Sequence, residues 1–214
     1  MSKSPSKKRS QRNDPRRERT RRALMDAALE LMQEAHSFNA ISLREVAREA
    51  GVVPSAFYRH FDDMSALGLA LVMESLEAMR SELRVIRHEL TEPRLWIDES
   101  ANAFALYLNE HHQSTHFLLR ERYGSNPTLR QAIAQGLALQ ESELSTDLAR
   151  LPLVQRLDNE QIANLSSLVV NTVISYAEAT LATEQSTQKS ALKHRLVTQL
   201  QLIFAGVPHW HKTY

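Results

Sequence analysis

Between Pro54 and Phe61 the chain reads Pro-Ser-Ala-Phe-Tyr-Arg-His-Phe. Eight residues place a hydroxyl, a methyl, a phenol, a guanidinium and an imidazole around two phenylalanines set four apart. In a helix, Val53, Phe57 and Phe61 share an inner side, and Ser55 and Arg59 lie nearly opposite it. Ala56 and Tyr58 fall on the flanks, and His60 lies between a flank and the inner side. An apolar side held against a scaffold, with small and polar groups turned outward, is what reading base edges in the DNA major groove requires. On that reading Ser55 and Arg59 face base edges, and Ala56 meets a thymine methyl. Arg59 can pair bidentately with guanine, worth ~1–3 kcal/mol of discrimination. The hydroxyl of Tyr58 and the ring of His60 can reach phosphate oxygens.

Such a helix needs a partner and a turn. Ser42 and Glu45, three residues apart, form a capping box that starts a preceding helix, with Leu43, Val46, Ala47 and Ala50 as its inner face. Ser42, at a helix N-terminus, also suits a phosphate. Gly51 follows directly, where a left-handed backbone is easiest for glycine. Upstream, Leu24, Ala27, Ala28 and Leu31 recur at helical spacing from about Pro15 to Ala35. Asn13 and Asp14 offer a cap before Pro15. Residues 1–22 hold ten Lys/Arg against two acids, and the other residues hold 16 basic against 23 acidic. A basic end on an acidic body points to a polyanion partner at one end only. Residues 1–14 are expected to be a disordered basic tail.

Here the sequence resembles the TetR family of bacterial repressors. Ser42, Val46, Ala47, Ala50, Gly51, Val52, Phe57, Tyr58, His60 and Phe61 match that family's DNA-binding pattern over about 50 residues. The resemblance implies base contact by Arg44, Pro54, Ser55, Ala56 and Arg59, and phosphate contact by Tyr58 and His60. Two positions depart from it. Val53 stands where the family often has a Ser cap, and Met64 where a Lys often touches phosphate. Arg16, Arg17 and Arg21 are expected to supply the missing charge. A narrower likeness, SLREVAREAG with FYRHFDDMSALG and the downstream Leu118-Leu119-Arg120-Glu121-Arg122, is similar to the repressors of unsaturated fatty-acid synthesis and acyl desaturation. It implies an effector that is a long-chain acyl-CoA or acyl carrier thioester. The alternative is a regulator of an efflux or catabolic operon that senses another small hydrophobic ligand.

The rest of the chain reads as helices. One runs from about Asp63 to Leu90, with Leu67, Leu71, Leu76, Met79, Leu83 and Ile86 inside, and Pro93 marks a break. Later segments cover Trp96–Leu108, His112–Tyr123, Pro127 to about Leu151, Asn159–Thr183 and Gln188–Phe204, with Asn126 and Pro127 as a cap. No run alternates with period two, so the expected fold class is all-α with about nine helices. The expected domains are 15–70 for the helix-turn-helix and 71–214 for effector binding and dimerisation.

An acyl sensor needs an apolar tunnel and a cationic mouth. Trp96, Phe104, Tyr107, Leu108, Phe117, Leu118, Val170 and Ile174 are candidates for the tunnel, and Arg120 and Arg122 for the mouth. His111, His112 and His116 invite a metal reading, but no HExxH pattern accompanies them. No Gly-x-Ser-x-Gly is present either. The expectation is no enzyme, no metal and no cofactor, with a helical metal-binding enzyme as the remote alternative. The chain has no cysteine, which excludes disulfides and thiolate chemistry. No apolar stretch reaches membrane-span length and the basic N-terminal segment lacks a signal core, so a cytoplasmic protein without a membrane partner is expected. One short reading helix covers too few bases, so a homodimer on a palindromic operator in double-stranded DNA is expected. Leu165–Ala177 and Leu192–Phe204 are its candidate interface.

Overall fold

The computed structural model describes residues 15–35, 37–89 and 93–210. The basic tail and the Asn13-Asp14 cap expected from the sequence lie outside the described residues. Among the described residues nine α-helices follow one another: α1 Pro15–Glu34, α2 Leu43–Glu49, α3 Pro54–Phe57, α4 Met64–Glu89, α5 Pro93–Glu110, α6 His112–Glu121, α7 Pro127–Leu148, α8 Asn159–Leu181 and α9 Ser186–Gly206. Short 3-10 turns occupy Phe38–Ala40, Pro152–Val154 and Val207–His209. Among the described residues there is no strand, and no helix is long and apolar enough to cross a membrane.

Local chemistry sets the helix starts. The Asn126 side chain accepts from the N–H groups of Thr128 (3.0 Å) and Leu129 (3.2 Å), with Pro127 at the first turn. Asp158 and Gln161 form a second capping box at α8, which satisfies donors a helix end leaves open.

Two apolar clusters divide the molecule. The first joins α1, α2, α3 and the loop around Phe38 to Leu67, Leu71, Val72 and Leu76 of α4. It continues into Phe117 and Leu118 of α6 and Leu129 and Ile133 of α7. The second gathers α5, α8 and α9 with Leu144 and Leu148 of α7. The division expected at residue 70 falls inside α4, and the first cluster runs past it. Gly68 lets this happen: a Cβ there would stand 2.7 Å from Phe38 Cε1 and 3.0 Å from Leu129 Cδ1.

Candidate nucleic-acid interface

The α2–α3 corner is built from its caps and its glycine. Ser42 Oγ accepts from Glu45 N–H (3.3 Å) and donates to Glu45 Oε2 (2.7 Å), and Ser42 N–H donates to the same oxygen (2.8 Å). These bonds, the side-chain one first, hold the Glu45 carboxyl below its ordinary range. Gly51 has φ +67°, a conformation that costs a β-carbon-bearing residue about 1 kcal/mol or more. Its N–H donates to Arg48 O, and that of Val52 to Ala47 O (2.9 Å), so the chain turns sharply out of α2.

α3 is only Pro54–Phe57. The winding continues past it as turns, with His60 N–H and Phe61 N–H both donating to Phe57 O (2.8 and 3.0 Å). Helical spacing therefore persists to Phe61, and Phe57 and Phe61 are buried with ring centroids 5.7 Å apart. Val53 departs from the expected inner side: it is 64% exposed. It precedes the helix with extended backbone (φ −72°, ψ 147°), which takes it out of helical phase.

The expected outer side is open. Pro54, Ser55, Tyr58 and Arg59 are exposed, and Ala56 and His60 are half-buried. Arg44 on α2 is exposed beside them, whereas the Ser42 hydroxyl is engaged in its cap. Arg16, Arg17, Thr20, Ala56, Arg59 and His60 together line a concavity of about 520 Å³. Arg17 Nη2 donates to Arg59 O (3.3 Å), which ties α1 to the end of the reading segment. Burial lowers the His60 imidazole from its ordinary value, and the charges of Arg17 and Arg21 lower it further. Its Nδ1 is buried without a hydrogen-bond partner.

Arg21 is turned elsewhere. It pairs with Glu74 of α4 and lies over the Phe61 ring, 5.4 Å from its centroid. Arg22 completes the cluster, Nη2 to Glu74 Oε2 at 3.1 Å. A carboxylate shared by two guanidiniums neutralises much of their charge, so Arg21 is a strut between α1 and α4 rather than part of the concavity. Thr20 was missed from the sequence. It lies one turn beyond Arg16, where helical spacing brings it to the same side.

The other end of the molecule holds an apolar cavity of about 130 Å³ between α4, α5, α6, α7, α8 and α9. Of the tunnel candidates, Trp96, Phe104, Leu118, Val170 and Ile174 line it. Tyr107, Leu108 and Phe117 are buried in the surrounding core instead. Tyr107 donates to Ser75 O (3.3 Å), and Phe117 meets Phe38 edge-on in the first cluster (5.6 Å). The proposed cationic mouth is not at this cavity. Arg120 Nη1 donates to Met32 O (3.3 Å) at the end of α1, and Arg122 lies over the Tyr123 ring. The reason is helical phase: Thr115, Leu118 and Leu119 take the cavity side of α6, and Phe117, Arg120 and Glu121 take the side toward α1. Glu121, 1% exposed, accepts from Phe38 N–H at 2.8 Å. Cavity residues that the sequence did not single out for this role include Leu76, Met79 and Leu83 of α4 and Leu196 and Leu200 of α9.

His112 and His116 stack nearly parallel, 6.2 Å and 8° apart. His111 lies 3.1 Å from Glu82. With Glu110 these two place potential ligand atoms within 4.8 Å of one another among the described residues. Both carboxylates are exposed, which is ordinary for a helix surface.

Residues 24–71 match the family model of bacterial regulatory proteins, tetR family. Solved structures share the whole fold. One is the fatty acid degradation regulator FadR of Bacillus halodurans, at TM-score 0.72 and 19% identity over 92% of this chain and 98% of that one. Another is a putative transcriptional regulator of Pseudomonas aeruginosa PAO1, at TM-score 0.73 and 16% identity over 94% and 97%. A third is FadR of Bacillus subtilis in complex with stearoyl-CoA, at TM-score 0.67 and 18% identity over 86% and 97%.

Proposed function

We propose that this chain is a DNA-binding transcriptional regulator that works as a homodimeric repressor released or engaged by an apolar effector, a reading supported by the match of residues 24–71 to the tetR-family model. The observation that carries this reading is the outward side of Pro54–His60 beside a concavity lined by Arg16, Arg17, Arg59 and His60. In the proposal Arg44, Pro54, Ser55, Ala56 and Arg59 meet base edges. Tyr58, His60, Arg16 and Arg17 meet phosphates, and residues 1–14 add charge to the same partner. Residues 15–70 act as the reading domain and 71–214 as the effector and dimerisation domain. Exposed Leu168 of α8 and Leu202 of α9 support a contact with the mate on those helices. Half-sites then lie about one DNA turn apart, ~34–36 Å.

The effector reading rests on the cavity. A long-chain acyl thioester as ligand, with genes of unsaturated fatty-acid synthesis as targets, is supported by the stearoyl-CoA held by the Bacillus subtilis neighbour. The cavity adds a condition. At about 130 Å³ it falls below the ~300–1,000 Å³ of small-molecule pockets, and a cavity of ~150 Å³ holds benzene. A long chain must therefore part α4 from α5 and α8. That same condition supplies the switch, because Leu76 and Leu118 belong to the cavity wall and to the first cluster at once. Opening the cavity displaces residues that position α1 and α2. A ligand that takes the equilibrium from 1:99 to 99:1 must prefer one state by ~5.5 kcal/mol. The small volume favours a second reading, in which the effector is a compact hydrophobic molecule of an efflux or catabolic operon.

Selection of genomic fragments at low ionic strength tests the DNA half. A palindromic site is expected, with affinity falling by roughly 0.9 log-log units per phosphate neutralised. Recovery of no preferred site, or of a salt-insensitive complex, overturns it. Native mass spectrometry of the purified protein tests the other half, by dimer mass and by the mass of any retained acyl ligand.

A further inference from the structure

Among the described residues the cavity wall is apolar except at three side chains, Ser100 of α5, Thr115 of α6 and Gln140 of α7, and none of the described residues that line it is charged. Helical hydroxyls normally spend their proton on a carbonyl one turn back. Thr20, Ser145, Thr146, Thr172 and Thr198 all do so here, at 2.8–3.1 Å. Ser100 Oγ and Thr115 Oγ1 do not: both atoms are buried and neither has a hydrogen-bond partner. Thr115 is 5% exposed. The phenol of Tyr107 stands near enough to accept from the Thr115 hydroxyl, but burial, with the charge of Glu82, pushes that phenol up to about 12, so it keeps its single proton and has none to give to the Thr115 oxygen, whose lone pairs stay open. That proton is directed at Ser75 O. Thr180 carries a third buried hydroxyl of this kind, off the cavity, and the Tyr176 phenol stands within its reach. Unpaired buried donors are unfavourable in a finished core. Two on the wall of one cavity, from different helices, are a provision for something that enters it.

Resting on the reading of this cavity as the effector site, we propose that Thr115 and Ser100 form a polar spot that selects a neutral oxygen, a carbonyl or a hydroxyl, on an otherwise apolar ligand. A hydroxyl can donate to a carbonyl and can also accept from an alcohol, so either oxygen is served. A carboxylate is served worse, because none of the described residues lining the cavity is a cation and a buried unpaired charge is far more costly than an unpaired dipole. The ligand class is therefore an oxygenated neutral chain, such as a thioester with its carbonyl inside or a hydroxylated acyl group. Against the described wall, a free fatty acid entering carboxylate first is disfavoured.

The test uses the full chain carrying Trp210→Phe, which leaves Trp96 on the cavity wall as the one tryptophan. Its emission is titrated with hexane, 1-hexanol, 2-heptanone, hexanoate and hexanoyl-CoA at pH 7.5. Thr115→Val is expected to weaken 1-hexanol or 2-heptanone about tenfold and to leave hexane unchanged or tighter. Thr115→Ser, which keeps the hydroxyl, is expected to retain the parental values. Hexanoate is expected to bind at least tenfold more weakly than 1-hexanol. If hexanoyl-CoA loses affinity in parallel with 2-heptanone, the oxygen is a thioester carbonyl. If 1-hexanol alone is sensitive, it is a chain hydroxyl. The inference is overturned if Thr115→Val with Ser100→Ala leaves both neutral probes within twofold of parent, or if hexanoate matches 1-hexanol. If no probe, hexane included, alters Trp96 emission, the effector-cavity reading falls and takes this inference with it.

Discussion

The two ends of this molecule use their apolar residues in opposite ways. At the α2–α3 end, Phe57 and Phe61 fill a small core completely so that Ser55, Tyr58 and Arg59 stand outside it in fixed places. At the α5–α8–α9 end, large side chains such as Trp96, Phe104 and Leu200 leave a space among themselves. On the proposed reading the first end works by what it projects and the second by what it leaves unfilled. Removing volume should therefore ruin the first, and adding volume should disable the second.

The largest effect is expected from Phe57→Ala. Phe57 is fully buried and meets both Tyr58 and Phe61. Loss of such a ring costs ~3–5 kcal/mol, and operator binding should vanish at temperatures where the wild type binds fully. Urea unfolding and a DNA-binding titration on one preparation check this. Retained binding would mean that the outer residues are positioned by something other than the small core. Next comes Arg59→Ala. The fold should be unaffected, and one base position in a randomised-site selection should lose ~1–3 kcal/mol of preference. Unchanged preference removes Arg59 as a reader.

The same contrast decides what was legible in the sequence. The corner from Ser42 to Phe61 is local: a capping box, a glycine at φ +67° and phenylalanines four apart are written within twenty residues. Only Val53 was misplaced there, because the helix begins one residue later than the apolar spacing implied. The nine helices were legible for a similar reason, since prolines at 54, 93 and 127 and the cap at Asn126 mark starts that depend on near neighbours. The cavity is not local. Its wall takes residues from six helices, from Leu76 to Leu200, and an apolar residue at helical spacing does not disclose whether it faces a neighbour or a gap. Trp96 and Tyr107 look alike in sequence, yet one lines the cavity and the other packs behind it. Proximity in sequence to Leu118 and Leu119 suggests Arg120 and Arg122 for its mouth, but helical phase carries them to another side of α6. Arg21 was grouped with Arg16 and Arg17 by charge, and nothing local announced Glu74, fifty-three residues away.

A substitution that adds volume at the second end sharpens the contrast. A Cβ on Gly136 of α7 would stand 2.2 Å from Leu76 Cδ1. The obstructing atom is the far end of a flexible side chain, and the cavity lies beside it. Gly136→Ala should therefore swing Leu76 into the cavity. The helix gains ~1 kcal/mol from alanine, against ~1–3 kcal/mol for repacking. Net stability should fall by no more than ~2 kcal/mol, while affinity for any cavity ligand drops at least tenfold; because Leu76 turns into space already present and does not part α4 from α5 and α8, operator binding persists. A variant that loses operator binding and ligand binding together would show that the two ends do not divide the work as described.

The smallest effect tests the margin of the first end, where His60 is half-buried between the apolar side and the concavity. Burial, then the charges of Arg17 and Arg21, with a smaller contribution from Arg59, lower its pKa in the free protein. The ring is therefore neutral near pH 7. In the free protein the unfolded state binds this proton more readily, so stability is full above the ordinary histidine value and declines as pH falls through it. A phosphate drawn into the concavity reverses the balance, because it opposes the arginine charges and favours the imidazolium. Operator affinity should therefore rise several-fold between pH 7.5 and 6, while the free protein becomes less stable over the same interval. His60→Gln keeps a hydrogen-bond donor without the titration, and both slopes should flatten. An affinity that is level with pH, or a rise that survives in His60→Gln, would take His60 out of the phosphate contact and leave that role to Arg16, Arg17 and Tyr58.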